Sequence, residues 1–274
     1  MLNDNNIYNE RMMDMKIKNA LYVILGFVMF FPSFVSAKET IDRYELPNYV
    51  ISISKENTYP NETEDEAVVE PSQDTEDLLE STDVPIENTD LIQLLNETTI
   101  KPTIISFGYR GSIYLGRWPL YYESSDTTVN GEYHKINEHE LNNAGNNNDQ
   151  TVYYEQQKEE EIIGALTSKV PNSENVRKMI LLKAKDKTKL PLSFRTVIGK
   201  GTKTNQPYKI PPKKHGVLSV YAPAVNEKGQ ITFGEVYIEL KGTKKQLTIK
   251  NVTKQGIGAW IPVQDHATIS FIVR

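Results

Sequence analysis

The sequence contains no cysteine and only 4 histidines. The lack of cysteine excludes a disulfide framework, a thiolate nucleophile, a cysteine-based metal site and a lipid anchor on cysteine. The stretch 130–149 is rich in asparagine and glycine, which predicts a loop. His134 and His139 lie at its edge without matching carboxylate spacing, so they do not predict a metal site. Gly-x-Ser-x-Gly and His-Glu-x-x-His motifs and a complete phosphate loop are absent from the sequence. The sequence therefore predicts no cofactor, no metal and no catalytic residue, and it favours a binding protein over an enzyme.

Apolar runs of membrane-spanning length are absent after residue 37. The one long run, from Ala20 to Val35, follows Lys16 and Lys18 and precedes the small residues Ser36 and Ala37. This pattern predicts a secretory signal peptide over residues 1–37 and an extracytoplasmic location for the rest of the chain. The alternative is an uncleaved membrane anchor, because the run is just short of a normal span. If the segment is not cleaved, we expect membrane contact through this segment alone.

Acidic and basic residues are unevenly distributed along the chain. Residues 38–100 carry 3 basic and 17 acidic side chains, whereas residues 101–274 carry 25 basic and 16 acidic ones. The first segment is either a solvated arm or an arm that folds back on the basic body. The basic body is suited to an anionic cell-wall polymer, a carbohydrate or an envelope protein. Nucleic acid is not a predicted partner, because it is scarce outside the cell.

Apolar side chains alternate with polar ones after Gly216, which is typical of half-buried strands. Val236, Ile238 and Leu240 share one face, and the opposite parity of residues 231 and 233 predicts a β-bulge at Gly234. The run Asn226-Glu227-Lys228-Gly229 predicts a hairpin turn. A second turn is predicted at residues 241–245, followed by a strand over residues 247–250.

The last strand is predicted to point Ile269, Phe271 and Val273 inward and Thr268 and Ser270 outward. Strands joined by tight turns, with no helix between them, indicate antiparallel pairing.

Three segments show helical spacing of apolar residues. They are Thr75–Glu80, residues 89–96 with Thr89 as N-cap, and residues 173–187 with Ser173 as N-cap. In the third, Val176, Met179, Ile180 and Ala184 form a stripe that can pack on a sheet.

The predicted fold is α+β and mainly β, an antiparallel sheet or β-sandwich with one packed helix at about residues 173–187. The predicted domain covers residues 98–274, after an acidic, partly extended arm with short helices over residues 38–97.

The most aromatic stretch covers residues 103–122, where strands over 104–109 and 112–118 are predicted around a turn at Arg110-Gly111. Its tyrosines, Trp118 and arginines can form a stacking platform for sugar rings, or they can simply pack between strands. A second cluster, residues 256–266, combines two glycines with Trp260 and an Asp-His pair that adjacent strand positions would point apart. The candidate binding residues are Arg110, Tyr114, Arg117, Trp118, Trp260, Asp265 and His266.

Five segments of the chain resemble the YfkD-like family. They are ISISKENTYPN (51–61), GYRGSIYLGRWPL (108–120), LTSKVPN (166–172), PAVNEKG (223–229) and GIGAWIPVQDH (256–266). The resemblance covers nearly the whole chain after the predicted signal peptide. It implies an exported protein of Gram-positive, mostly spore-forming bacteria. It implies no activity and no functional residues.

Three function classes follow from these features. The leading hypothesis is a non-enzymatic protein of the cell envelope that binds a wall or envelope component or a protein partner. The second is a hydrolase of cell-wall polymers that uses carboxylates such as Glu235, Glu239 or Asp265, which needs two carboxyl groups facing each other in a cleft. The third is an extracytoplasmic chaperone or assembly factor that uses exposed strand edges.

Overall fold

The computed structural model describes residues 46–53, 61, 69–98 and 108–274. The predicted signal peptide and the predicted strand residues 104–107 lie outside these ranges. The described residues all belong to one compact unit. Within the described ranges, none of the helices has the length and apolar character needed to cross a membrane.

The described chain is mainly antiparallel β-structure with three helices, as predicted. The strands are β1 (Val50–Ser52), β2 (Arg110–Asn142), β3 (Gln150–Val152), β4 (Glu160–Ile163), β5 (Ala165–Leu166), β6 (Arg195–Ile198), β7 (Tyr208–Ile210), β8 (His215–Lys241), β9 (Lys244–Pro262) and β10 (His266–Val273). The helices are α1 (Gln73–Glu80), α2 (Thr89–Glu97) and α3 (Ser173–Thr188).

Strand β8 is the centre of the main sheet. It pairs with β2 on one side along its whole length. On its other side it pairs first with β10 over residues 216–221 and then with β9 from residue 224 onward. Strands β1 and β5 extend the sheet beyond β10 and β9, and the short pairs β3–β7 and β4–β6 lie outside it. Nearly every large element therefore depends on residues 215–241.

The predicted hairpin turn at residues 226–229 is wrong, because β8 continues straight through it. Pro223 is tolerated within this strand although it has no backbone N–H to donate. On one side it lies between the last residue paired with β10, Tyr221, and the first paired with β9, Ala224. On the other side the β2 register shifts between Asn130 and His134, so the ladder is interrupted there too.

The bulge predicted at Gly234 is not in β8. The register between β8 and β9 shifts between Phe233 and Glu235, but the extra residue belongs to β9, because Phe233 pairs with Thr253 and Glu235 pairs with Lys250. The pairing of β8 with β2 is regular across Gly234, so the two apolar sets of β8 stay on opposite faces. A Cβ at Gly234 would come within 2.5 Å of Ile249 Cγ2, so a side chain has no room there. Ile231 and Phe233 are buried with the residues of α3, whereas Val236 and Ile238 are buried with the residues of α1 and α2.

The helices form where their apolar stripes predict, but two N-caps differ. The four predicted stripe residues of α3 are all buried in the core. The N-cap of α3 is Asn172, in a left-handed conformation, and not Ser173. In α2 the N-cap is Asn88, whose side chain accepts a hydrogen bond from Leu91 N, and not Thr89. Helices α1 and α2 thus belong to the sheet's core, while the domain boundary at residue 98 stays a prediction.

Three further predictions about the chain need correction. The turn predicted at Arg110-Gly111 is absent, because β2 begins there and runs on as a strand. The stretch 130–149, predicted as a loop, is strand as far as Asn142. Thr268 was predicted to face outward but is 2% exposed, and its hydroxyl lies close to Gly131.

Candidate functional site

The candidate site is the exposed face of the sheet where β2, β8 and β9 run side by side near the β8–β9 turn. Residues directly opposite each other in antiparallel strands lie on the same face, and so do residues two apart in one strand. We call this surface the Tyr114 face. Its members are Arg110, Ser112, Tyr114, Arg117, Glu235, Tyr237, Glu239, Lys241, Lys244, Gln246, Thr248 and Lys250.

Three cations form the end row of this face, which we call the cation row. Arg110 is directly opposite Lys241, and Lys241 is directly opposite Lys244. Among the described residues, none of the three has a carboxylate within ion-pair distance, whereas the neighbouring Lys245 lies 3.3 Å from Asp74 on the other face. Like charges directly opposite each other in a sheet are destabilising. The cation row is therefore a place where an anion would relieve repulsion.

A groove of about 730 Å³ lies beside the cation row. It is open to solvent and contains polar and charged groups from all three strands. The residues that line it are Arg110, Gly111, Ser112, Glu239, Leu240, Lys241, Lys244 and Gln246. Its size is in the range of known ligand sites, and its polar character suits a hydrated, charged ligand.

Two tyrosines form the aromatic row of the Tyr114 face. Tyr114 is opposite Tyr237, and their ring centroids are 5.0 Å apart at an interplanar angle of 36°. Tyr237 Oη donates a hydrogen bond to Glu235 Oε2 at 3.0 Å. This bond, followed by burial, raises the pKa of the Tyr237 hydroxyl above its usual value. Lys250 Nζ lies 4.7 Å from the centre of the Tyr237 ring and 3.0 Å from Glu239 Oε1.

Of the residues predicted in β2, Arg110, Tyr114 and Arg117 lie on the Tyr114 face. Arg117 is directly opposite Glu235, and its guanidinium donates to the backbone oxygen of Asn251 and to Thr253 Oγ1 at 2.6 Å. Trp118 is half-buried, packs against the core, and donates from Nε1 to Leu115 O at 2.9 Å. Arg117 therefore joins β2 to β9, and the indole of Trp118 belongs to the core.

The other three predicted residues are Trp260, Asp265 and His266. They lie ten or more residues after Lys250, the last member of the Tyr114 face in β9. Trp260 is stacked on Tyr133, with centroids 5.3 Å apart. Asp265 has a positive φ of 57° in the turn after β9 and accepts a hydrogen bond from Asn61 Nδ2. His266 Nδ1 contacts a backbone oxygen two residues earlier at 2.8 Å. The structure does not bring these three together with the Tyr114 face.

The carboxylates considered for a hydrolase are also dispersed. Glu235 and Glu239 are four residues apart on β8, so their Cα atoms are about 13 Å apart. Glu235 accepts hydrogen bonds from Tyr237 and Asn251, and Glu239 contacts Lys250. Asp265 lies beyond the far end of β9.

A buried polar cluster links β2, β8 and α3. The Glu227 side chain is 0% exposed. Its carboxylate accepts hydrogen bonds from Tyr122 Oη, Ser124 Oγ and Thr127 Oγ1. Lys187 Nζ donates to Ser124 Oγ at 2.6 Å and contacts Thr127 Oγ1 at 3.4 Å. We call these five residues the Glu227 cluster.

The Glu227 cluster depends on a bulge in β2 and a glycine in β8. The β2 register shifts between Ser124 and Asp126, and this extra residue lets Ser124 and Thr127 point to the same face. A Cβ at Gly229 would lie 2.6 Å from Tyr122 Oη, so the glycine leaves room for the tyrosine. Burial and then the charge of Glu227 raise the pKa of the Tyr122 hydroxyl.

Sequence reasoning missed Lys241, Lys244, Tyr237 and Lys250 as members of the site. The signal for the two lysines was present, because they flank the Gly242-Thr243 turn and must therefore face each other. Their position beside Arg110 depends on the register between β2 and β8, which no local pattern reveals.

Residues 47–274 match the family described as YfkD-like protein. The chain belongs to the YfkD-like family. A relative from Bacillus subtilis (strain 168), named "Uncharacterized protein YfkD", is 50% identical over 260 residues, which is 95% of this chain and 97% of the relative. Both the Tyr114 face and the Glu227 cluster lie within the part that matches the YfkD-like family.

Among solved structures, the crystal structure of lamprey immune protein aligns with 60% of this chain and 53% of that chain. The identity is 7% and the TM-score is 0.25. A likeness at this level carries no inference about the fold or the function.

Proposed function

We propose that this protein is an exported, non-enzymatic protein of the cell envelope that binds an anionic polymer. The observation that carries the proposal is the cation row, in which Arg110, Lys241 and Lys244 lie side by side across three strands. Elsewhere on the same face the lysine charge is already balanced, since Lys250 is 3.0 Å from Glu239. The unbalanced charge is therefore concentrated at one end of the face, beside the groove.

The location follows from the sequence. The apolar run from Ala20 to Val35, with small residues before position 38, has the features of a secretory signal. Outside the cell, the anionic groups within reach of a basic surface belong to wall polymers and to lipid headgroups of the membrane. An exported protein without cysteine suits such a compartment in bacteria.

Replacing the whole cation row with alanine (Arg110→Ala, Lys241→Ala, Lys244→Ala) is expected to weaken binding to isolated cell walls. Each cation near an anionic surface contributes about 1 kcal/mol. Losing three of them weakens binding roughly 100-fold, because about 1.4 kcal/mol corresponds to tenfold. Binding of the unaltered chain should also weaken steeply with added salt. Co-sedimentation of the purified full-length chain with cell walls over a salt series measures both effects.

A matched control removes the same amount of charge elsewhere, at the exposed residues Lys158, Lys169 and Lys200. We expect this variant to lose little binding. Equal losses in the two triple variants would show that net charge, and not the cation row, attracts the polymer. Salt-independent sedimentation would contradict the proposal outright.

Processing after Ala37 is expected when the full gene product is expressed in a Gram-positive host. Cell fractionation and N-terminal sequencing of the recovered protein should then give Lys38 as the first residue. If the envelope-bound product keeps residues 1–37, the segment is a membrane anchor and not a cleaved signal peptide. The proposed envelope location would still hold. Recovery of the protein from the cytoplasm alone would overturn that proposal.

A further inference from the structure

We propose that the polymer bound at the Tyr114 face is a glycan that carries anionic groups. In this arrangement a sugar ring stacks on Tyr114 while an anionic group of the same chain contacts the cation row. This inference rests on the proposed function and specifies its ligand class.

Tyr114 is placed to offer a flat surface to a ligand. It is 54% exposed, although β2 is paired with β8 both before and after it. Its ring is backed by the ring of Tyr237 on β8, at 5.0 Å between centroids. An aromatic ring that is exposed on one side and supported on the other can stack on the apolar face of a sugar without first moving.

The supporting tyrosine is itself fixed by its neighbours. Its hydroxyl donates to Glu235 Oε2, which also accepts a hydrogen bond from Asn251 Nδ2 at 2.9 Å. Lys250 lies over the Tyr237 ring and contacts Glu239, so its charge is held in place as well. Little side-chain freedom remains to be lost on binding, which favours affinity.

The distance between the two parts of the site defines the length of the ligand. Tyr114 is four strand residues from Arg110, which corresponds to about 13 Å. This separation is longer than one hexose unit, so a single charged sugar cannot reach both parts. The groups between them are Ser112, Glu239 and Gln246, whose side chains can hydrogen-bond sugar hydroxyls. The face therefore fits an oligomer in which rings and anionic groups alternate.

The test compares three commercial polymers that separate the two parts of the ligand. Dextran has rings without charge, polyphosphate has charge without rings, and dextran sulfate has both. Isothermal titration with the full-length chain measures each affinity. We expect dextran sulfate to bind more tightly than polyphosphate at equal charge concentration, and we expect dextran alone to bind weakly.

Tyr114→Ala is expected to weaken dextran sulfate binding roughly tenfold, a usual size for the loss of one stacking contact, and to leave polyphosphate binding within about twofold. Tyr114→Phe should restore dextran sulfate binding, since it keeps the ring. Tyr153→Ala is the matched control, because Tyr153 is equally exposed at 54% elsewhere in the chain. Thermal unfolding midpoints verify that all three variants are folded.

The outcomes separate this inference from the proposed function. Should Tyr114→Ala weaken both charged polymers equally, or neither, the ring contact does not exist and the inference is overturned. The proposed function survives that result if the triple cation-row variant still loses affinity for both charged polymers. Failure of the unaltered chain to bind any polyanion would overturn both.

Discussion

Replacing Gly229 with alanine is expected to destabilise the protein by about 3 kcal/mol, in the range of other substitutions that overpack a core. The new methyl group would lie 2.6 Å from Tyr122 Oη and would also collide with the backbone oxygen of Glu123. The backbone oxygen cannot rotate away as the end of a flexible side chain can. Strands β2 and β8 would have to separate locally, at the place where the Glu227 cluster holds them together. For a chain of this size, the unfolding midpoint should fall by roughly 6–12 °C.

Gly256→Ala is the matched control for this prediction. Gly256 is in the neighbouring strand β9 and is paired with Gln230 of β8. An added Cβ there has no heavy atom within 4 Å, and its φ is not positive. We expect Gly256→Ala to change stability by no more than about 0.5 kcal/mol. Similar midpoints for the two variants, measured by circular dichroism on heating, would contradict the close packing of β2 on Gly229.

Lys187→Met is expected to destabilise the protein by about 2–3 kcal/mol. The Glu227 carboxylate is completely buried, and Lys187 is the cation that reaches it through the hydroxyls of Ser124 and Thr127. Removing the cation leaves a buried negative charge without compensation, which costs about 3–5 kcal/mol for a direct pair. The cost is lower here because hydroxyls intervene and Lys187 is half-buried. Denaturation in urea, followed by circular dichroism, measures it.

A double-mutant cycle with Glu227→Gln distinguishes this coupling from lost packing. In the Glu227→Gln background the negative charge is absent, so Lys187→Met should cost less than about 1 kcal/mol. Lys183→Met is a control on the same helix, because Lys183 makes a surface ion pair with Glu87 at 3.6 Å. Surface pairs of this kind contribute about 0–1 kcal/mol. An equal cost of Lys187→Met in both backgrounds would show that Lys187 acts only through packing.

The elements with a clear apolar period were predictable from the sequence. The alternation from residue 234 to 240 and the stripe in α3 both reflect burial against one side, and the structure confirms them. These features depend only on residues close together in the chain.

The continuity of β8 could not be predicted, because Asn226-Glu227-Lys228-Gly229 has the composition of a turn. Glu227 is buried only because its partners come from β2, and Ser124 is 103 residues away in sequence. Gly229 is required for the space it leaves for Tyr122, and not for a left-handed conformation. Polar residues whose partners are distant give the same local signal as solvated ones.

The candidate site was predictable only in part, because its residues come from strands that are distant in the sequence. Arg110 and Tyr114 were recognised from composition, since arginine and tyrosine are common at binding surfaces. Trp118 was assigned with them, but the β2 bulge between Tyr114 and Gly116 changes which residues face solvent, and its ring packs inward. The lysines and the second tyrosine of the Tyr114 face come from strands more than a hundred residues later.

The central position of β8 also bears on how the chain is made. Residues 110–142 pair with residues 215–241, so their partner is synthesised long after they are. Until residues 215–241 have left the ribosome, β2 has no strand to pair with along its length, and closing such distant contacts is slow. The nascent chain is therefore expected to stay unfolded until residues 215–241 have been synthesised. That is the state in which a polypeptide can pass through a narrow translocation channel before it folds on the far side.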